Sequence, residues 1–171
     1  LAQQENLTTV LASVKQLRQG QYKISEAALH HGIENLVEQT GLTGRWQKIA
    51  DRPHVFCDTA HNKDGIQQVV RQIRQGEYRH VHVVWGMVND KNTREVLELL
   101  PADATYYFTQ AAIPRALHVD DLMKAARETG LKGEAFNQVA DAVETAKKNA
   151  SDKDLIFIGG STFVVAEALE I

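Results

Sequence analysis

The chain has 171 residues, of which 43% are hydrophobic and 24% are charged, and its formal net charge is -3 at pH 7. These values predict one ordinary soluble domain, or one domain with an appendage, that is large enough to bury a core. The slight negative charge argues against a nucleic-acid-binding protein with a broad basic patch, because such binding depends on Lys and Arg neutralising phosphates. No apolar run approaches the roughly 18 residues of a membrane span and no signal-peptide pattern is present, so we expect no membrane partner.

Cys57 is the single cysteine of the sequence and lies inside an apolar run. A buried free thiol is the expected state of such a residue, and it suits the reducing cytoplasm, where we expect the protein to be located. The sequence begins with Leu1 rather than Met, which leads us to expect a piece cut from a longer protein.

The first part of the chain is predicted to be helical. Apolar residues recur at intervals of three and four over residues 6–18, which predicts an amphipathic helix that ends near Gly20. A second helix is predicted from Ser25, a good N-cap, to a point before Gly41.

After Gly44 the pattern changes to alternating strands and helices. Strands are predicted at residues 45–50, 54–58, 79–88, 105–109, 134–137 and 154–160, and helices at residues 62–75, 92–100, 119–128, 141–148 and from about 162. This βαβ alternation predicts an α/β fold in which a mostly parallel sheet carries helices on both faces.

Unusual clusters follow four of the predicted strands: DTAHN (58–62), GMVNDK (86–91), TQAAIPR (109–115) and GGST (159–162). Ligands of open α/β sheets bind outside the carboxyl ends of the strands, so the clusters predict one small-molecule crevice. Two dipeptides in them have simpler interpretations. Asp90-Lys91 is predicted to be a turn with an ion pair, and Pro114-Arg115 a loop restraint with an exposed charge.

The DTAHN segment contains two candidate ligand-binding residues. Asp58 could accept hydrogen bonds from a ribose, act with His61 on a metal, or cap the next helix. His61 could stack on a base, bind phosphate or ligate a metal, or it could be a helix-start histidine bonded to its neighbours. Asn62 is the favoured helix cap. No further His, Cys or Asp ligands lie nearby, so no metal site is predicted on this chain.

Arg45 and Ser161 are candidates for anion binding. Arg45 could reach a phosphate with bidentate geometry, or it could be an ordinary surface arginine. The GGST turn could present backbone donors and the Ser161 hydroxyl at a helix N-terminus, or Ser161 or Thr162 could simply cap that helix. The sequence has no GxxxxGK[ST], GxGxxG or GxSxG motif, so the residues alone predict only an α/β domain with a small-molecule crevice.

The ordered series GRWQ (44–47), DTAHN, GMVNDK and GGST resembles the C-terminal domain of folylpolyglutamate synthase, often bifunctional with dihydrofolate synthase, in the Mur ligase superfamily. The resemblance covers essentially the whole chain. Residues 1–43 are similar to the helical end of that family's central ATPase domain or its linker. Residues 44–171 are similar to its Rossmann-like C-terminal domain.

The resemblance implies an ATP-dependent ligase that phosphorylates a folate carboxylate and lets L-glutamate attack the acyl phosphate. It implies that Arg45 approaches the ATP phosphates, that Asp58 contacts the ribose, that His61 lies beside the nucleotide and that Ser161 helps to hold glutamate. ATP and Mg2+ are the implied cofactors. The phosphate loop and the metal ligands are expected on domains outside this chain, so the chain alone is expected to be inactive.

Two positions depart from the family pattern. Thr59 stands where the family has a small residue, and Lys63 stands where proline is common. Proline at a first helical position mainly preorganises the turn, so its loss is expected to matter less than loss of Asp58 or His61 would. Two alternative functions stay open: a Mur-type cell-wall amino-acid ligase domain, and a nucleotide-binding module without chemistry.

Overall fold

The structure is a computed structural model that describes residues 2–89 and 93–171. It divides into two compact units, Leu1–Thr43 and Gly44–Ile171. The first unit contains α1 (Ala2–Gln19), α2 (Glu26–Glu34) and α3 (Leu36–Thr40). No helix in the described part of the chain is both long enough and apolar enough to cross a membrane.

The second predicted helix is interrupted in the structure. Ser25 caps α2 as predicted, because its Oγ accepts a hydrogen bond from Ala28 N at 3.0 Å. The prediction of one continuous helix to Gly41 was wrong at Asn35, whose φ of -108° and ψ of 26° separate α2 from α3. The Asn35 side-chain amide donates to His31 O at 2.9 Å, so it competes with the helical backbone for that carbonyl.

The second unit is built around one sheet. Its strands are β1 (Gln47–Asp51), β2 (His54–Cys57), β3 (Val81–Trp85), β4 (Thr105–Thr109), β5 (Gly133–Phe136) and β6 (Leu155–Gly159), and its helices are α4 (Lys63–Gln75), α5 (Thr93–Leu97), α6 (Val119–Glu128), α7 (Val139–Asn149) and α8 (Thr162–Leu169). The six strands lie in the order β1-β2-β6-β3-β4-β5. Only the β1–β2 pair is antiparallel, which confirms the predicted mostly parallel sheet.

Strand β3 is shorter than its apolar run of residues 79–88 predicts. Beyond Trp85 the chain leaves the sheet and bonds to the loop after β4: Leu117 N donates to Met87 O at 2.8 Å and Asn89 N donates to Arg115 O at 3.0 Å. The predicted turn and ion pair at Asp90-Lys91, and the predicted helix start at Asn92, lie outside the described residues.

Hydrophobic side chains cover both faces of the sheet, as the βαβ pattern predicts. One face packs under α4, α5 and α6, and its largest buried side chains include Trp85, Tyr106 and Phe157. The other face packs under α7 and α8. Cys57 lies in this second layer with 0% of its surface exposed, as predicted, and burial raises the pKa of its thiol to about 11.

A buried polar network lies at the amino ends of β3, β4 and β6, away from the four clusters. His82, which is 5% exposed, has its Nδ1 within hydrogen-bond distance of the Tyr107 hydroxyl, at 3.0 Å, and its Nε2 lies 3.6 Å from Asp154 Oδ2. Asn149 donates to the same Tyr107 hydroxyl at 3.1 Å. Burial, with the neighbouring His80, lowers the pKa of His82, although Asp154 acts in the opposite direction.

The domain is therefore expected to lose stability as the pH falls below about 6.5, the ordinary pKa of histidine. A histidine with a lowered folded-state pKa binds its proton more readily when the chain is unfolded. Acidification thus favours unfolding, with a slope of up to about 1.4 kcal/mol per pH unit for one proton. Urea unfolding at several pH values measures this slope. His82→Leu should reduce it, while His118→Asn, at an exposed cap position, should not; equal slopes in all three proteins would contradict the assignment.

Candidate functional site

The four polar and glycine-rich clusters lie at the same end of the sheet, beyond the carboxyl ends of its strands. Strands β2, β6, β3 and β4 are parallel neighbours, and their carboxyl ends are aligned to within one residue: Cys57 pairs with Ile158, and Trp85 pairs with both Gly159 and Phe108. The segments that follow therefore emerge side by side at the carboxyl ends of the strands. This is the location at which open α/β sheets bind ligands.

Glycine residues allow these segments to approach one another closely. Gly160 has a φ of 87°, and a Cβ there would lie 2.6 Å from both Gly86 O and Trp85 Cε2. A Cβ at Gly86 would lie 2.6 Å from Thr109 O. The segments after β3, β4 and β6 therefore meet through their backbones, which leaves no room for side chains at these two positions.

The GRWQ sequence forms a tight turn, here called the 44–47 turn, that is bonded to the segment after β2. Trp46 N donates to Asp58 Oδ2 at 2.7 Å, and Thr59 N donates to Gly44 O at 2.8 Å. Within the turn, Gly44 N donates to the Gln47 side-chain oxygen at 2.7 Å. A Cβ at Gly44 would lie 2.7 Å from Thr59 Cγ2, so Thr59, the first departure from the family pattern, packs directly over this glycine.

Asp58 connects the two segments through both carboxylate oxygens. In addition to the bond from Trp46, Oδ1 accepts from Ala60 N at 2.8 Å, and the side chain is 9% exposed. Burial raises the pKa of Asp58, while the bonds from Ala60 and Trp46 and the charge of Arg45 partly oppose this rise. The alternative in which Asp58 caps the next helix was wrong. Asn62 caps α4, as favoured, because its Oδ1 accepts from Gly65 N at 2.9 Å.

Arg45 and His61 lie on either side of this carboxylate along the chain and are exposed. The Arg45 charge is close enough to Asp58 to lower its pKa. His61 Nδ1 lies 3.0 Å from Thr59 O. Because a carbonyl can only accept, Nδ1 donates in this bond, and Nε2 takes no part in it. The histidine is thus bonded to its neighbours, as one sequence interpretation had it, and still presents a ring nitrogen for another partner.

Ser161 is the N-cap residue of helix α8. It is 2% exposed, and its Oγ accepts a hydrogen bond from Phe163 N at 3.2 Å, so the predicted capping role is present in the structure. The hydroxyl proton is not used in that bond. Among the predicted site residues, Arg45, Asp58 and His61 form one group around the 44–47 turn, and Ser161 follows the neighbouring strand β6.

Sequence reasoning singled out Arg45 within GRWQ but missed the two residues that follow it. Trp46 has a φ of 43°, and its ring stacks on Phe56 and Phe157 with centroid distances of 5.2 and 5.9 Å. Gln47 closes the turn through its side chain. The aromatic residue directly after Gly-Arg was the sequence feature that could have pointed to Trp46. Its left-handed backbone conformation, however, cannot be predicted from the spacing of residues in the sequence.

The site offers a guanidinium group, a carboxylate, an imidazole ring and a helix N-terminus with a hydroxyl group. These groups suit a ligand that carries both hydroxyl groups and anionic groups. Within residues 2–89 and 93–171, no three His, Cys, Asp or Glu side chains are placed to hold a metal ion.

The sequence of this domain matches a known family. Residues 44–162 match the model of the family described as "Mur ligase, glutamate ligase domain". The chain belongs to this Mur ligase family. The matched region begins at the 44–47 turn and includes all four clusters, ending at the first residue of α8.

Two relatives illustrate how much of a longer enzyme this chain spans. A "Probable bifunctional folylpolyglutamate synthase/dihydropteroate synthase" of Haloferax volcanii is 31% identical over 91% of this chain and 18% of its own length. The "Dihydrofolate synthase/folylpolyglutamate synthase" of Escherichia coli is 28% identical over 100% of this chain and 38% of its own length. The chain therefore spans well under half of either relative.

Solved structures of related enzymes show the same fold. E. coli FolC in complex with DHPP and ADP superposes with a TM-score of 0.79 at 27% identity, over 90% of this chain and 36% of that one. The bifunctional folylpolyglutamate synthase/dihydrofolate synthase of Yersinia pestis, complexed with AMPPNP and a Mn ion, gives a TM-score of 0.70 at 25% identity, over 88% and 36%.

Proposed function

We propose that this chain is the C-terminal part of an ATP-dependent ligase that adds L-glutamate to a folate through an acyl-phosphate intermediate. The family match over residues 44–162 and the relatives named folylpolyglutamate synthase support this proposal. The single observation that carries it for the site is the bond between the 44–47 turn and Asp58, which brings a cationic and an anionic side chain together at the ligand-binding edge of the sheet.

In this proposal Arg45, Asp58 and His61 bind ATP. The Arg45 guanidinium contacts the phosphates, where a charge-assisted bond contributes about 1.5–3 kcal/mol. Asp58 accepts a hydrogen bond from a ribose hydroxyl through the lone pairs that its two backbone partners leave unused, and His61 lies beside the nucleotide. The complexes of the two solved relatives with ADP and AMPPNP support a nucleotide as the ligand in this proposal.

Ser161 is proposed to hold the incoming glutamate. Its hydroxyl proton and the N-terminus of α8 favour a carboxylate, since the first N–H groups of a helix and its dipole attract anions. No described side chain at this edge is placed as a covalent nucleophile in the proposal. The contribution of this chain is to bind and orient the substrates and, when the domains close, to exclude water from an acyl phosphate that would otherwise hydrolyse.

Phosphoryl transfer from ATP to a carboxylate needs a divalent cation to neutralise the phosphates, and we propose Mg2+ held by the rest of the enzyme. The Mn ion in the Yersinia pestis structure supports a divalent metal in such enzymes. Residues 1–43 are proposed to be the helical end of the central ATPase domain or its linker. Exposed apolar side chains in this unit, among them Val10, Leu11 and Val37, suit a segment that packs against such a domain.

The isolated chain is expected to have no ligase activity and to bind ATP only weakly, because the proposed phosphate loop lies elsewhere. The complete gene product that contains the chain should form ADP in the presence of ATP, glutamate and tetrahydrofolate. Replacing tetrahydrofolate with dihydropteroate tests for the second activity. Robust ligation by the 171-residue chain alone would refute the proposal that the phosphate loop and the metal ligands lie outside this chain. If the complete protein turned over only a cell-wall peptide precursor, or bound nucleotide without turnover, the corresponding alternative function would replace the folate assignment.

A further inference from the structure

Trp46 has an unusual backbone conformation for a large side chain. In the described part of the chain it is the only residue other than glycine with a positive φ, at 43°. This left-handed conformation costs an ordinary L-residue about 1–2 kcal/mol and persists only where surrounding contacts enforce it. The residue directly follows Arg45, so its conformation bears on the direction in which that arginine leaves the backbone.

Two sets of contacts hold Trp46 in place. Its N–H donates to Asp58 Oδ2 at 2.7 Å, which fixes the backbone. Its half-buried ring stacks on Phe56 of β2 and Phe157 of β6 and packs against the core face beneath α4, α5 and α6. The ring is thus anchored on two neighbouring strands, and the anchor is independent of any ligand.

Arg45 lies between two residues with left-handed backbones, Gly44 at 73° and Trp46 at 43°. Both ends of this short segment are tied to the chain that follows β2: Gly44 O accepts from Thr59 N, and Trp46 N donates to Asp58. A turn held at both ends has little freedom to rotate, so its two bonds fix where the Arg45 side chain starts relative to Asp58. The effect of the Arg45 charge on the pKa of Asp58 agrees with this placement.

We infer that Trp46 is a positioning residue: its ring, anchored on Phe56 and Phe157, holds the 44–47 turn so that Arg45 and Asp58 contact the same ligand. That this ligand is ATP rests on the proposed function. Trp46 itself need not touch the nucleotide. Its role predicts a selective effect on nucleotide binding, whereas a purely structural aromatic residue would affect only stability.

Steady-state kinetics of the complete ligase tests the selectivity. Trp46→Ala should raise the KM for ATP about tenfold, because displaced binding groups lose much of their effect, while the KM for glutamate stays unchanged. Trp46→Gly should behave like Trp46→Ala, since glycine relieves the backbone strain but removes the anchor. Trp46→Phe, which keeps a stacking ring, should retain most of the affinity.

Tyr78→Ala is the matched control. Tyr78 is also a half-buried aromatic residue packed on the same core face, but its ring contacts His54 at the amino end of β2. The Tyr78→Ala substitution should lower the thermal stability of the protein without changing the KM for ATP. An equal rise of that KM in Tyr78→Ala and Trp46→Ala, or no rise in either, would overturn the inference.

A second measurement does not depend on the enzyme's activity. The Asp58 carboxyl group can be titrated by 13C NMR in the 171-residue chain. Trp46→Ala should move the pKa of Asp58 away from its wild-type value, because displacement of the turn changes the burial of the carboxyl group, its bond from the residue 46 N–H and its distance from the Arg45 charge, whereas Trp46→Phe and Tyr78→Ala should leave it near the wild-type value. An unchanged Asp58 titration in Trp46→Ala would refute the positioning role. If the shift occurred but the complete protein consumed no ATP, the proposed function would fail while the positioning role stood.

Discussion

Under the proposed function, replacing Asp58 with alanine in the complete protein is expected to lower kcat/KM for ATP roughly 100-fold, which corresponds to about 3 kcal/mol of lost stabilisation. The carboxylate accepts hydrogen bonds from Trp46 N and Ala60 N, and alanine leaves both backbone donors without this acceptor. The 44–47 turn would then lose its bond from Trp46 N to the segment after β2 and keep the bond from Thr59 N to Gly44 O. The loss therefore includes both the direct contact with ribose in the proposal and the placement of Arg45.

Asp58→Asn separates these two contributions. The asparagine oxygen can still accept one of the two N–H groups, but its NH2 group cannot accept the other, so we expect an intermediate loss of about tenfold. Asp141→Ala, which removes an exposed acid from the first turn of α7, is the control for a change of charge alone. Steady-state kinetics with varied ATP measures each effect. Wild-type kinetics in Asp58→Ala would remove Asp58 from the site.

Gly160→Ala is expected to lower the free energy of unfolding of the chain by about 4 kcal/mol, because it combines a left-handed backbone with severe steric overlap. The new Cβ would lie 2.6 Å from Gly86 O and 2.6 Å from Trp85 Cε2. Neither group can move away easily: one belongs to the backbone after β3, and the Trp85 side chain is completely buried. Ser161 follows directly, so relief of the overlap would also displace the start of α8.

Gly130→Ala provides the matched control for Gly160→Ala. Gly130 has a similar φ of 82°, but a Cβ there would have no atom within 4 Å. This substitution should therefore cost only the backbone term, about 1–2 kcal/mol. Urea unfolding of both variants measures the difference. Equal losses would show that the backbone conformation, and not the contact between the segments after β3 and β6, determines the requirement for glycine at position 160.

The sequence predicted most secondary-structure elements because their signals are local. The bounds of β4 and α6 were predicted to the residue: β4 is a run of β-branched and aromatic residues, and α6 has a regular apolar stripe that packs into the core. The second helix was mispredicted because a propensity argument does not reveal when the Asn35 side chain will compete for a backbone carbonyl. The end of β3 was mispredicted because its last apolar residues bond to a loop nearly thirty positions away.

In the candidate site, too, local contacts could be predicted from the sequence and long-range contacts could not. The capping roles of Asn62 and Ser161 could be predicted, since each involves a backbone N–H only two or three residues away. The bond between Asp58 and Trp46 could not, because the two residues meet only when β1 folds back on β2. The roles of Arg45, Asp58, His61 and Ser161 toward ATP and glutamate stay predictions, and the variants described above test the nucleotide side.

The sequence by itself determined the alternation of strands and helices, the polar and glycine-rich segments after four strands, and a resemblance specific enough to indicate the family. Hydrophobic period, capping residues and motif order are all properties of neighbouring positions, so the sequence displays them directly. Only the tertiary structure decided that β6 lies between β2 and β3, which places GGST beside DTAHN. It also decided that Trp46 adopts a left-handed backbone against Asp58 and two stacked rings, because strand pairing and side-chain packing depend on residues far apart in the chain.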